Sequence, residues 1–318
     1  MASLRDIRRR IQSVRNVRKI TRAMEMVAAA RLRRAEQRIA ALRPYADALR
    51  TMTRRAADAA ERIPSLPILQ PRDRVERVAL LLVTGDRGLA GPFNSQILRA
   101  GQLRARELRA DGIAVEWHVV GRRGASSLRF RGIDLAGEYT GFTDRPAYAD
   151  ARRIADELAA AYVDGRVDRV EVIYNHYISP LRQLVRRETL LPLQQAEIVG
   201  EDGGSSSGEG GAAAAEDQET TAAAGSDGRG GVQPLWLYQP EPEEILAQLV
   251  PDYVEVSIFR ALLESAASEH GARMTAMRNA SENAAELIDK LTLQANRQRQ
   301  AEITQEIMEV VAGAEALE

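Results

Sequence analysis

The stretch Ser3-Leu-Arg-Asp-Ile-Arg-Arg-Arg-Ile-Gln-Ser-Val-Arg-Asn-Val-Arg-Lys-Ile-Thr-Arg-Ala-Met-Glu-Met-Val27 decides how this chain is organised. Ser3 with Asp6 three residues on has the form of a capping box at a helix start. Leu4, Ile7, Ile11, Val14, Val17, Ile20, Met24 and Val27 then recur at spacings of three and four, the period of an apolar stripe on a helix. Leu32, Ala35, Ile39, Leu42, Ala46 and Leu49 continue the stripe after a phase slip. The first 62 residues hold one proline, Pro44, and no glycine. One long helix over residues 1–63 is therefore predicted, bent or relaxed at Pro44 where a backbone donor is lost. About 60 helical residues span roughly 90 Å, and the stripe needs a partner helix to cover it.

The other end of the chain offers that partner. A second helical pattern over residues 251–318 carries Val254, Ile258, Leu262, Met277, Ala284, Ile288, Leu291, Ala295, Ile303, Ile307 and Val310. The first helix enters the middle of the chain and the second leaves it, so packing side by side makes them antiparallel. Small residues (Ala28, Ala29, Ala30, Ala284, Ala285) permit close approach of the two backbones. Residues 1–74 carry 19 basic and 7 acidic side chains, and residues 241–318 carry 6 basic and 15 acidic. Opposite charges are expected to help select the pairing, although exposed pairs each contribute only about 0–1 kcal/mol.

Between the helices the pattern changes. Val78-Ala-Leu-Leu-Leu-Val-Thr84 reads as a buried strand, Gly85 to Gly91 as a turn, and Asn94 to Ala110 as a helix. Val115 to Val120, a short helix near Arg122 to Leu128, a helix from Pro146 to Tyr162 and the strand Val170 to Tyr174 continue the alternation, and Gln183 to Leu191 can add a strand. The fold class is thus α/β: a long antiparallel coiled coil of the N- and C-terminal helices plus a central Rossmann-like domain, residues 75–199, with a mainly parallel sheet. Residues 200–231 collapse into Gly, Ala, Ser, Glu and Asp and are expected to be disordered. Residues 232–250 form a connecting segment that includes Trp236, Leu237 and Tyr238.

Composition narrows the function. The 318 residues include no cysteine, which excludes disulfide scaffolds and Cys-based zinc sites. The longest apolar run, around Val78 to Val83, is far below the roughly 20 residues of a bilayer span. Only two of the basic residues, Lys19 and Lys290, are lysines, and neither follows glycine, so no P-loop is present. His118, His176 and His270 lack a second ligand at metal spacing. Gly85-Asp-Arg-Gly-Leu-Ala-Gly91 sits where a dinucleotide loop would, but its glycine spacing is wrong for that fingerprint, and a structural turn is the better reading. No catalytic residue, cofactor or metal site is implied.

Several segments together resemble the γ-subunit family of F-type ATP synthases. They are Met1 to Ile11, Lys19-Ile-Thr-Arg-Ala-Met-Glu-Met-Val-Ala-Ala-Ala30, Arg43-Pro-Tyr45, Asp86-Arg-Gly-Leu89 with Phe93-Asn94, Ala272-Arg-Met-Thr-Ala-Met277 and Arg299-Gln-Ala-Glu-Ile-Thr-Gln-Glu306. The resemblance implies a rotor shaft inside a ring of three α and three β subunits, with the central domain in a foot that meets the ε subunit and the c-ring. It implies a non-catalytic subunit of a proton-transporting enzyme complex, peripheral to the cell membrane on the cytoplasmic side through the Fo sector. By match, Met24, Arg299, Gln300 and Thr304 face the β subunits, and Trp236, Leu237 and Tyr238 belong to the foot. Chloroplast members carry a two-cysteine thiol switch near the position of the 200–231 insert, which a chain without cysteine cannot operate. The family's first helix starts the sequence, leaving no room for a transit peptide, so a bacterial type is expected.

The competing reading is a coiled-coil adaptor or a nucleic-acid-binding protein with an α/β head. Its support is the arginine-rich first helix. No aromatic precedes Tyr45 to stack on bases, and a solvated helix face explains the arginines more simply, so no nucleic-acid partner is expected.

Overall fold

The computed structural model describes residues 3–59, 67–69, 72, 74–193 and 242–315. The insert at 200–231 and the foot residues Trp236, Leu237 and Tyr238 lie outside the described residues.

Strand β1 (Arg77–Val83) is the centre of the head, and Val78 to Val83 are all 2% exposed or less. A strand so rich in Val and Leu, with no alternation, must be covered on both faces. Its parallel neighbours are β2 (Ala114–Val120) and β4 (Arg169–Tyr177). Beyond β2 lies the short parallel β3 (Gly137–Tyr139), and beyond β4 lies β5 (Gln183–Leu191), which runs antiparallel. The order is β3-β2-β1-β4-β5, mainly parallel, with one antiparallel edge.

One sheet face is covered by α2 (Phe93–Ala110) and α3 (Arg122–Phe130), whose Phe93, Ile97, Leu108 and Leu128 meet Leu80, Leu82 and Val119. The other face is covered by α4 (Tyr148–Val163) and by the start of the C-terminal helix α5 (Pro242–Glu315). Val254, Ile258 and Leu262 pack there with Leu81, Val172 and Leu158. These three were expected in the coiled-coil stripe. They instead belong to the core of the head, because the sheet offers a wider apolar surface than one helix does. The helix also starts at Pro242, within the expected connecting segment and ten residues before Asp252. Proline suits the first helical turn, where its missing N–H has no intrahelical acceptor.

The N-terminal helix α1 (Leu4–Ala59) runs through Pro44 without a break in its assignment. It lies antiparallel to α5: Ile7 and Ile11 cluster with Ile288, Leu291 and Ala295, while Leu32 and Ala35 cluster with Ala267.

The approach of α3 to the sheet depends on Gly121, which has φ of 94° and would place a Cβ 2.5 Å from the Thr84 carbonyl oxygen. Gly141 has a similar φ of 97° but nothing within 4 Å. Gly121→Ala is expected to destabilise the full chain by about 2–4 kcal/mol, and Gly141→Ala by only about 1 kcal/mol. Urea unfolding midpoints of the two variants measure the difference.

Candidate functional site

In an open parallel sheet a ligand crevice forms where neighbouring strands connect in opposite directions. Here that point lies between the carboxyl ends of β1 and β4, and α5 occupies it. The Ser265 hydroxyl donates to the Val83 carbonyl at 3.4 Å, and the Ser268 hydroxyl donates to the Asn175 carbonyl at 3.1 Å. Glu269 presses its carboxylate on Gly85, so closely that a Cβ there would sit 2.7 Å from it. The glycine turn therefore receives the chain's own carboxylate at the place where a nucleotide phosphate would bind. This is the structural turn that its spacing predicts.

Around this crevice head and shaft are tied together. Asp86 accepts from the amides of Gly141, Thr143 and Arg122 and from the Thr143 hydroxyl. Arg31 of α1 pairs with Asp144, and Arg87 approaches the same carboxylate at 3.9 Å. Arg273 pairs with Glu269 and donates to the Gly88 carbonyl. Burial raises the pKa of Glu269 against the opposing pull of Arg273.

Above the head the seam of the helix pair is continuous. On α1 it follows the buried or half-buried Ile7, Ile11, Val14, Thr21, Glu25, Ala28, Leu32, Ala35 and Ile39, and the exposed Arg18 stands between Val14 and Thr21 in the same three-and-four register. On α5 it follows Met277, Ser281, Ala284, Ile288, Leu291 and Ala295. No phase slip interrupts it, contrary to the sequence reading. The aliphatic residues leave the seam instead: Val17 is 52% exposed, Ile20 59% and Val27 52%, while Thr21 and Ala28 are buried. They stand one residue to the side, on a helix flank that α5 does not cover. Direct charge pairing contributes little to holding the pair, in keeping with the small worth of exposed ion pairs. Among the described residues a single ion pair joins the two helices, from Arg278 of the acidic helix to Glu25 of the basic one.

The displaced stripe continues into a groove of about 510 Å³ formed by Ile20, Ala23, Met24 and Val27 with Leu89 of the glycine turn. Arg31, Arg87, Arg123 and Arg273 rim it. Leu89 is 63% exposed and has φ of 64°, a conformation that L-residues other than Gly, Asn and Asp seldom adopt. An exposed aliphatic held this way is presented outward, and nothing in the sequence beyond the flanking glycines signals it.

Met24 is half-buried in this groove. Arg299, Gln300 and Thr304 are exposed and about 30 Å further along α5, given its rise per residue, so the structure does not bring them to Met24. The Thr304 hydroxyl donates to the Gln300 carbonyl at 2.9 Å. Glu302 lies beside Ser3 and Leu4 at the start of α1. Later residues of α5 therefore overhang the described part of α1, and Ile303, Ile307 and Met308 are exposed on that overhang. Among the described residues, no group of three or more His, Asp or Glu is arranged to hold a metal.

A family model described as ATP synthase matches residues 3–317. The ATP synthase gamma chain of Rubrobacter xylanophilus is 44% identical over 320 residues, covering 100% of this chain and 99% of its own. The chain belongs to the ATP synthase gamma-chain family. The gamma chain of Moorella thermoacetica is 40% identical with 100% of both chains covered. The fold is shared with a chain of the OSCP/F1/c-ring structure of the Euglena gracilis mitochondrial ATP synthase, with TM-score 0.64 and 15% identity over 99% of this chain and 94% of that one. A chain of the Tetrahymena thermophila central stalk and c-ring structure gives TM-score 0.55 and 24% identity over 82% of this chain and 99% of that one. For this gamma-chain family member the seam and the flank separate on substitution. Ile20→Ser and Val27→Ser are expected to change stability by less than about 0.5 kcal/mol, whereas Ile11→Ala or Ile288→Ala costs about 2–4 kcal/mol. Denaturant unfolding of the full-length variants measures both.

Proposed function

We propose that the chain is the central rotor shaft of an F1Fo ATP synthase, coupling rotation of a c-ring to ATP synthesis at three β-subunit sites. The observation that carries this reading is the apolar stripe of Val17, Ile20, Met24 and Val27 lying outside the intramolecular seam. Water-exposed aliphatics in a row, continued by Leu89, call for a partner along the shaft. Arg87 and Arg123, exposed at the groove, suit a partner surface that is both apolar and acidic. The shaft runs within the α3β3 ring. Because α1 and α5 differ in charge, length and exposed apolar residues, each β subunit meets a different face as the shaft turns.

Met24 contacts β near the head, and Arg299, Gln300 and Thr304 contact β near the tip, pointing away from α1. The head, with Trp236, Leu237 and Tyr238, forms the foot against the ε subunit and the c-ring. Among the described residues no helix is long and apolar enough to cross a membrane, and the chain meets the membrane through its Fo partners, on the cytoplasmic side.

Affinity purification of the tagged chain is expected to recover α and β subunits with ATPase activity. Recovery with nucleic acid and no ATPase would favour the adaptor or nucleic-acid reading. Replacing Arg299 and Gln300 together with alanine is expected to lower proton-driven ATP synthesis by about tenfold, with assembly and thermal stability kept. Unchanged synthesis would remove these two residues from the contact.

A further inference from the structure

At the joint between shaft and head, α5 contributes one imidazole that is 1% exposed, His270. Its Nε2 lies 3.3 Å from the Asp144 carbonyl oxygen, and its Nδ1 lies 3.4 Å from Nη1 of Arg273. A carbonyl can only accept a hydrogen bond and a guanidinium can only donate one. The ring proton must therefore sit on Nε2, and Nδ1 must present its lone pair. Only the neutral ring satisfies both partners. A second proton would go onto Nδ1, directly against the guanidinium, and remove the acceptor that Arg273 uses.

The groups that face this site come from every element around it: Arg31 from α1, Asp86 and Arg87 from the glycine turn, Arg123 from α3, Asp144 from the loop before α4, and Glu269 and Arg273 from α5. Its carboxylates are already engaged. Asp86 holds backbone amides, Asp144 holds Arg31, and Glu269 holds Arg273. Burial lowers the pKa of His270, and Arg273 and Arg31 push the same way against the opposing pull of Asp144.

We propose that His270 is a positioning residue that fastens the glycine turn to the shaft only while its ring is neutral, and that acidification loosens this joint by protonating Nδ1. Its effect on coupling rests on the rotor reading above. The path runs through Arg273, which also holds the Gly88 carbonyl next to Leu89. Once repelled by the imidazolium, Arg273 releases the turn that presents Leu89 to the groove. One oxygen of Asp144, Oδ1, is buried without a hydrogen-bond partner, so the cluster holds an acceptor in reserve for a second arrangement. The sign follows from linkage. A histidine whose folded pKa is depressed contributes its stability fully above the ordinary value of about 6.5, and that contribution is lost as pH falls through the folded value.

His270→Gln separates the roles, because the amide offers one donor and one acceptor and does not titrate; His270→Ala offers neither. In the full-length chain, amide hydrogen exchange of residues 85–91, corrected for the intrinsic pH dependence, is expected to accelerate about tenfold in the wild type between about pH 7.5 and pH 5.5. His270→Gln is expected to remain protected over that range, and His270→Ala to exchange fast throughout. Glu269 takes up a proton in the same direction, so the glutamine variant isolates the histidine's share. In the assembled complex, protons pumped per ATP hydrolysed should fall about twofold over the same range in the wild type and stay level in His270→Gln. Identical pH profiles for wild type and His270→Gln in both measurements would overturn the proposal. Failure to recover α and β subunits would defeat the rotor reading instead, and the exchange comparison on the chain alone would still decide the role of His270.

Discussion

Helix α5 has to satisfy two cores with one unbroken backbone. Its first turns close a face of the sheet through Val254, Ile258 and Leu262, its middle fills the crevice at the ends of β1 and β4, and its last part forms the seam with α1. The element is 74 residues long and continuous. A helix resists bending except where hydrogen bonds are lost or strained. Head and shaft therefore share a rigid member, and twisting one loads the other without an intervening linker.

The seam itself is held by shape more than by charge. Its middle section uses Thr21, Glu25 and Ala28 where aliphatics would be expected, and Ala284 and Ser281 answer them from α5. Small side chains bring the backbones close and leave little apolar area to bury there. The larger aliphatics on the neighbouring flank are spared for contact outside the pair. Isolated arginines along α1 are equally spared, since among the described residues its ion pairs to α5 reduce to one. The pair thus spends its packing at both ends of the seam and its exposed chemistry in between.

Much of this was legible in the sequence because each signal was long. Val78 to Val83 could only be a strand buried on two faces, and a first helix of more than 50 residues without glycine could hardly be anything else. The three residues of β3 gave no period to read, so it was not anticipated. The offset between aliphatic stripe and seam was also hidden: both have the same three-and-four spacing, and they differ by one residue in phase, about 100° around the helix. Which of them meets α5 is settled by packing. Pro242 falls in the expected connecting segment, although its ring is equally at home at a helix start. Of the expected contact residues, Met24 stands at the groove, and Arg299, Gln300 and Thr304 are exposed near the far end of α5. The positive φ of Leu89 and the tautomer of His270 arise from tertiary neighbours and leave no trace in local sequence.

The filling of the crevice by Ser265, Ser268 and Glu269 carries one more consequence. A doubly wound sheet usually keeps that opening for a mononucleotide, and here it has become a socket for the chain's own helix. At that position the head holds its own helix in a mechanical grip. A nucleotide could enter this crevice only if the helix that links head to shaft were withdrawn from it.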